Sequence, residues 1–209
     1  MLFRSIPLTG KLPGSPETRI SFPDICKSVT EPCVLNPLLF NGHLQTIWGS
    51  ARPNDHPIYY KRQIFVADGG DDGSFAVDFV VERNDDERDP ELPKRTTLLD
   101  DKAFGALPST DNNPMLVILH GVSGGSQEPF IRGMIATLIA QNGRNEKPWK
   151  ACVVNSRGCG RSKLTSQLIY NGRATWDLRQ TASWLREKFP NRPLFAVGMS
   201  LGANLLTNV

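Results

Sequence analysis

A chain of 209 residues with 39% hydrophobic side chains can form one domain with a sizeable core, or one domain plus an extension, and is too short for two full domains. Its 24 basic and 21 acidic residues leave a net charge of +3 with no basic block of five, which argues against a nucleic-acid partner. The four cysteines lack CxxC spacing and the longest apolar runs fall far short of the ~20 residues of a membrane span, so no metal site, disulfide framework or transmembrane helix is expected.

Residues 1 to about 57 are rich in proline and poor in periodic apolar positions, which predicts an extended arm lying over a domain. Pro7, Pro13 and Pro16 break the apolar start before it resembles a secretory segment, so a reducing, cytoplasmic location is expected, with a lipid-droplet or membrane surface as the peripheral alternative. Residues 58 to 81 read as an antiparallel hairpin: two β-rich runs flank Asp68 to Gly73, and Phe75, Val77, Phe79 and Val81 alternate on one face. The turn faintly resembles a calcium loop, but Phe79 stands where such a loop needs its bidentate Glu. Residues 82 to 113 begin with mixed charges and prolines to Asp101 and predict a solvated loop.

From residue 114 the pattern becomes strand, helix, strand, helix, strand. Met115 to Leu119, Ala151 to Asn155 and Leu194 to Val197 are the strands. Phe130, Ile131, Met134, Leu138 and Ile139 mark the core face of a first helix that Gly143 can cap. Ala174, Leu178, Thr181, Leu185 and Phe189 mark the second, stopped by Pro190. Such alternation predicts a parallel sheet in an α/β domain, with ligands beyond the carboxyl ends of the strands.

Three strand ends carry the chemistry. Gly198-Met199-Ser200-Leu201-Gly202 fits G-x-S-x-G, the turn that presents a serine nucleophile between strand and helix, with Gly198 and Gly202 permitting close approach. Acyl transfer also needs two N–H donors for the developing oxyanion; Leu201 supplies one and Val122 the other, in the strand-to-helix loop that opens His120-Gly121. His120 is tempting as a base, but its place at the strand end favours fixing that loop by hydrogen bonds. Arg157 is expected to pin the turn after Asn155 and His43 to anchor the arm through a hydrogen bond. Cys159 beside Arg157 is a candidate for a lowered thiol pKa, although no histidine accompanies it.

The blocks Asn41-Gly42-His43-Leu44-Gln45-Thr46, His120-Gly121, Asn155-Ser156-Arg157-Gly158-Cys159-Gly160 and Val197 to Asn204 resemble the embryogenesis-associated type of α/β-hydrolase esterases, a group that includes the fungal medium-chain fatty acid ethyl ester synthase/esterases. The resemblance implies an α/β-hydrolase fold, no cofactor, and medium-chain acyl esters, acylglycerols or acyl-CoA as substrates with water or a small alcohol as acceptor. In that fold the triad runs Ser, Asp or Glu, then His, whereas His43, His56 and His120 all precede Ser200. The chain is therefore expected to hold the nucleophile half of the fold, cut short after the elbow, with the nucleophile strand at a sheet edge. Two readings stay open: a serine ester hydrolase or acyltransferase completed by further chain, and a non-catalytic remnant with no activity or only a binding role.

Overall fold

The computed structural model describes residues 8–9, 19–20, 22–32, 34, 36–51, 56–68, 73–83, 89–140, 142 and 147–209. They fall into two units, Met1–Pro53 and Asn54–Val209.

The first unit departs from an extended arm. It holds a two-residue strand pair, β1 (Leu8–Thr9) and β2 (Arg19–Ile20), and two helices, α1 (Phe22–Val29) and α2 (Gly42–Ala51). Pro23 sits in the first turn of α1, where a missing N–H costs no intrahelical bond. Asn41 starts α2 as an N-cap, its side chain accepting from the Leu44 N–H at 2.9 Å. His43 lies exposed in the first turn of α2 and its side chain makes no hydrogen bond among the described residues, so the expected anchoring is not observed.

The second unit is built on a six-stranded sheet in the order β5-β3-β4-β7-β6-β8. The strands are β3 (Tyr59–Val66), β4 (Ser74–Val81), β5 (Thr96–Leu98), β6 (Met115–Leu119), β7 (Lys150–Asn155) and β8 (Leu194–Gly198). β3 and β4 form the expected antiparallel hairpin, whose tip at residues 69–72 lies outside the described residues. β4 is buried on both faces, because it lies between β3 and β7 and a helical layer covers each side; alternation alone marks only one face. β6, β7 and β8 are parallel, and β8 pairs only with β6 among the described residues.

The charged stretch is more ordered than its composition suggests. β5 adds in parallel to β3, and α3 (Asp101–Gly105) follows, capped by Asp100, which accepts from the Ala103 N–H at 2.7 Å. α4 (Pro129–Ala140) turns most of the expected face to the core, with Ile131 buried and Met134, Leu138 and Ile139 packed on it; Arg132 and Ile135 are buried as well, whereas Phe130 is exposed, and the Gly143 cap lies outside the described residues. α5 (Trp176–Lys188) has the expected face, with Leu178, Thr181 and Leu185 buried between Ala174 and Phe189. α6 (Leu201–Thr207) closes the sequence.

Strand parity divides the core. Phe75, Val77 and Phe79 of β4, Met115, Val117 and Leu119 of β6, and Cys152 and Val154 of β7 pack with α5 and α6. Ile118, Ala151 and Val153 point the other way onto Ile131 and Ile135 of α4. The sheet thus lies between two helical layers, with Leu119 in register with Val154 and Gly198. That register gathers the three loops of chemical interest at one end of adjacent strands.

Candidate active site

Ser200 occupies φ 51°, ψ −115°, a region L side chains rarely adopt and one that costs on the order of 1–3 kcal/mol. Serine at a helix start ordinarily caps the helix, yet here the Ser200 side chain makes no capping bond and the residue is exposed. Its hydroxyl is therefore left to a partner outside the helix. The flanking glycines make the turn possible. A Cβ on Gly202 would stand 2.5 Å from the Leu119 carbonyl oxygen and 2.6 Å from that of His120, and one on Gly198 would overlap the Gly202 carbonyl. The Met199 N–H donates to Leu119 O at 3.0 Å, fastening the turn to the end of β6.

The loop after β6 meets this turn directly: a Cβ on Gly121 would lie 3.4 Å from the Ser200 Cβ. Val122 follows, 66% exposed. Among the described residues neither the Val122 nor the Leu201 N–H donates to another protein group, so both amides are available to a ligand oxygen. Ser123, at φ 57°, donates its N–H to Tyr170 Oη at 3.0 Å.

His120 is buried, and both ring nitrogens are occupied. Nε2 accepts from the Ser156 N–H at 3.0 Å, so the ring proton resides on Nδ1 and is donated to Gly121 O at 2.6 Å. Burial holds its pKa below the usual imidazole value, against a smaller opposing effect of the Gly121 bond. Gly124 lies against the ring, where a Cβ would come within 3.2 Å. A neutral imidazole with both nitrogens engaged has no lone pair left for a serine proton.

Beyond β7, Arg157 makes a bidentate pair with Asp177 at the start of α5, at 2.9 and 2.8 Å. The Cys159 thiol is not activated: burial pushes its pKa up, only partly offset by a hydrogen bond with Tyr170. Burial likewise pushes the Cys152 thiol up to about 12. A cavity of about 290 Å³ lined by Phe75, Leu92, Leu98, Arg161 and Lys163 lies beside the hairpin, and no elbow residue lines it. Among the described residues no cluster of His, Cys, Asp and Glu is arranged to hold a metal ion, and no helix is long and apolar enough to cross a membrane.

The structure also brings in residues that sequence patterning passes over: Tyr60, Arg62, Asp78 and Ser126, bonded to the loop after β6 or to one another, with Asn155, which the sequence marks as a strand end and as the start of one family-like block. The available signal was Asp78, the one charge in the run Ser74–Val81, which the hairpin register places directly across from Arg62.

Comparison with known proteins is consistent with this geometry. The alpha/beta hydrolase fold family matches residues 114–209. A monoacylglycerol lipase of Saccharomyces cerevisiae is 36% identical over 203 residues, a match covering 89% of this chain and 43% of the relative. Medium-chain fatty acid ethyl ester synthase/esterase 2 of the same yeast is 33% identical, covering 83% of this chain and 43% of the relative. An embryogenesis-associated protein of Picea glauca is 29% identical, covering 81% of this chain and 32% of the relative. The chain spans less than half the length of these curated relatives.

Proposed function

We propose that this chain, whose residues 114–209 match the alpha/beta hydrolase fold family, carries the nucleophile and oxyanion-binding half of a serine ester hydrolase acting on acyl esters or acylglycerols. The observation that carries the reading is Ser200, held in a strained conformation with an uncapped, exposed hydroxyl against the Gly121 loop. Ser200 Oγ attacks the acyl carbonyl carbon and gives up its proton to a base. The carbonyl oxygen takes the negative charge and is met by the Val122 and Leu201 N–H groups. Collapse expels the alkoxide, which takes a proton from that base, and water or a small alcohol then resolves the acyl-enzyme. Gly198, Gly202, Gly121 and His120 serve as supports for this turn and loop.

Every histidine of the sequence precedes Ser200, and His120 is engaged at both nitrogens. In this fold the acid and base follow the nucleophile in the order Ser, Asp or Glu, His. The same observation favours the second reading for the 209 residues alone, a chain that binds or folds without turning over. Medium acyl-chain length and alcohol as acceptor follow the yeast synthase/esterase and belong to the same proposal, as does acyl-CoA as donor.

The test is hydrolysis of medium-chain p-nitrophenyl esters by a chain extended to the relatives' length, with and without Ser200→Ala. Turnover is expected to fall about 10⁴-fold or more in the variant, and added ethanol is expected to divert product to ethyl ester. Equal turnover by the variant and its parent would remove the nucleophile assignment; strictly hydrolytic product at high ethanol would remove the acyltransferase half.

A further inference from the structure

We propose that Arg62, Asp78, Ser126 and Asn155, buried on the α4 side of the sheet, form a network that sets the oxyanion loop, with Asp78 as its positioning residue. The proposal deepens the ester-hydrolase reading and rests on it. Arg62 and Asp78 have fully buried side chains and meet in two bonds, Nε to Oδ1 at 2.6 Å and Nη2 to Oδ2 at 2.7 Å. Asp78 Oδ2 also accepts from Ser126 Oγ at 2.5 Å and from Asn155 Nδ2 at 2.8 Å. The Asn155 amide orientation is dictated, because its Oδ1 accepts the Ser126 N–H at 3.0 Å. Tyr60 Oη donates to Ser126 O at 3.0 Å, so both backbone polar groups and the hydroxyl of Ser126 are satisfied.

The network returns to the loop by a second route. Arg62 Nη1 donates to Gly160 O at 2.9 Å, and the Gly160 N–H donates to Gly124 O at 3.2 Å. Gly160 fits only without a side chain: its φ is 59°, and a Cβ would stand 2.5 Å from Asn155 Oδ1. Residues 124 and 126 are thus tied to one buried ion pair, while His120 ties the start of the loop to Ser156. Val122 lies between these two anchors and makes no hydrogen bond of its own among the described residues. The direction of its N–H is fixed from both ends.

A buried ion pair is a costly way to stabilise a core, since apolar residues of similar volume often do as well or better. That distinction supplies the test. Amide hydrogen exchange by mass spectrometry on the 209-residue chain compares the parent with Ser126→Ala, Ser126→Thr and the double variant Arg62→Met with Asp78→Leu. The double variant replaces the pair by apolar side chains and so guards against a fold lost through one stranded charge. In Ser126→Ala and the double variant, exchange across residues 120–127 is expected to rise about ten-fold while residues 176–188 in α5 stay protected, and Ser126→Thr is expected to restore the loop. In the double variant the ring ¹⁵N shifts of His120 are expected to leave the Nδ1-protonated pattern. A loop that stays protected in the double variant, or exchange that rises equally in α5, would overturn the proposal and leave the pair as a stability element. The exchange result decides the network even where fluorophosphonate reacts equally with Ser200→Ala and its parent, an outcome that would remove the nucleophile assignment alone.

Discussion

The loop at 120–126 and the turn at 198–202 face one another across the site and are held by opposite means. The loop is tied by directional bonds from His120, Ser123, Gly124 and Ser126 to Asn155, Ser156, Gly160 and Tyr170. The turn has few such bonds; it is held by the absence of two side chains, at Gly198 and Gly202, and carries backbone strain at Ser200. Donors aimed at an oxyanion must not move during reaction, which favours a network, whereas a nucleophile must stand clear of its own backbone, which favours a sterically forced turn. The two halves should therefore fail differently, the loop to loss of polar partners and the turn to added carbon.

The largest effect expected is Gly202→Ala. Its Cβ meets backbone carbonyls rather than a flexible side chain, so the turn must part from β6 at a cost of about 3 kcal/mol or more, read by urea denaturation. A cost under about 1 kcal/mol would show the turn to be looser than its geometry. Ser200→Gly has the opposite sign: glycine tolerates the φ of 51°, and we expect a gain of about 1 kcal/mol together with loss of reaction at this site. A destabilised Ser200→Gly would mean that the strain is not stored there.

Acid acts on the loop through His120. The folded pKa of His120 lies below its unfolded value, so between the two the unfolded chain binds more protons. Its contribution is whole above about pH 6.5 and is lost as pH falls from there toward the folded value. Thermal melts from pH 7.5 to 5 are expected to show this loss in the parent and a flatter profile in His120→Asn. Asp111 gives a smaller, separate effect: hydrogen bonding to Arg192 holds it well below the usual carboxylate range, so its contribution is present above pH 3.8 and lost only below that. In melts extended down to about pH 2, Arg192→Met is expected to remove the second loss and leave the first.

Much of the frame was legible because burial imposes a period. The strands at 115–119, 150–155 and 194–198 and the α5 face follow from apolar spacing, and the elbow follows from two glycines around a serine. The elements that composition missed depend on single caps or on tertiary pairing. α2 begins at the Asn41 cap, α3 at Asp100, and β5 is three residues long and exists by pairing with β3. Asp78 was hidden because a carboxylate in an alternating strand reads as solvent-facing until its cross-strand partner and a covering layer are known. The sheet order β7-β6-β8 then brings together Asn155, the loop after Leu119 and Ser200, contacts that no local pattern contains.

We propose Ser200 as the nucleophile and the Val122 loop as the group that meets its substrate oxygen. Peptide mapping of the fluorophosphonate adduct, in a chain extended to the relatives' length, tests it most directly. One adduct is expected, on Ser200, absent from Ser200→Ala and formed about ten-fold more slowly in Ser126→Ala. An adduct on another residue, or equal labelling of Ser200→Ala, would contradict it.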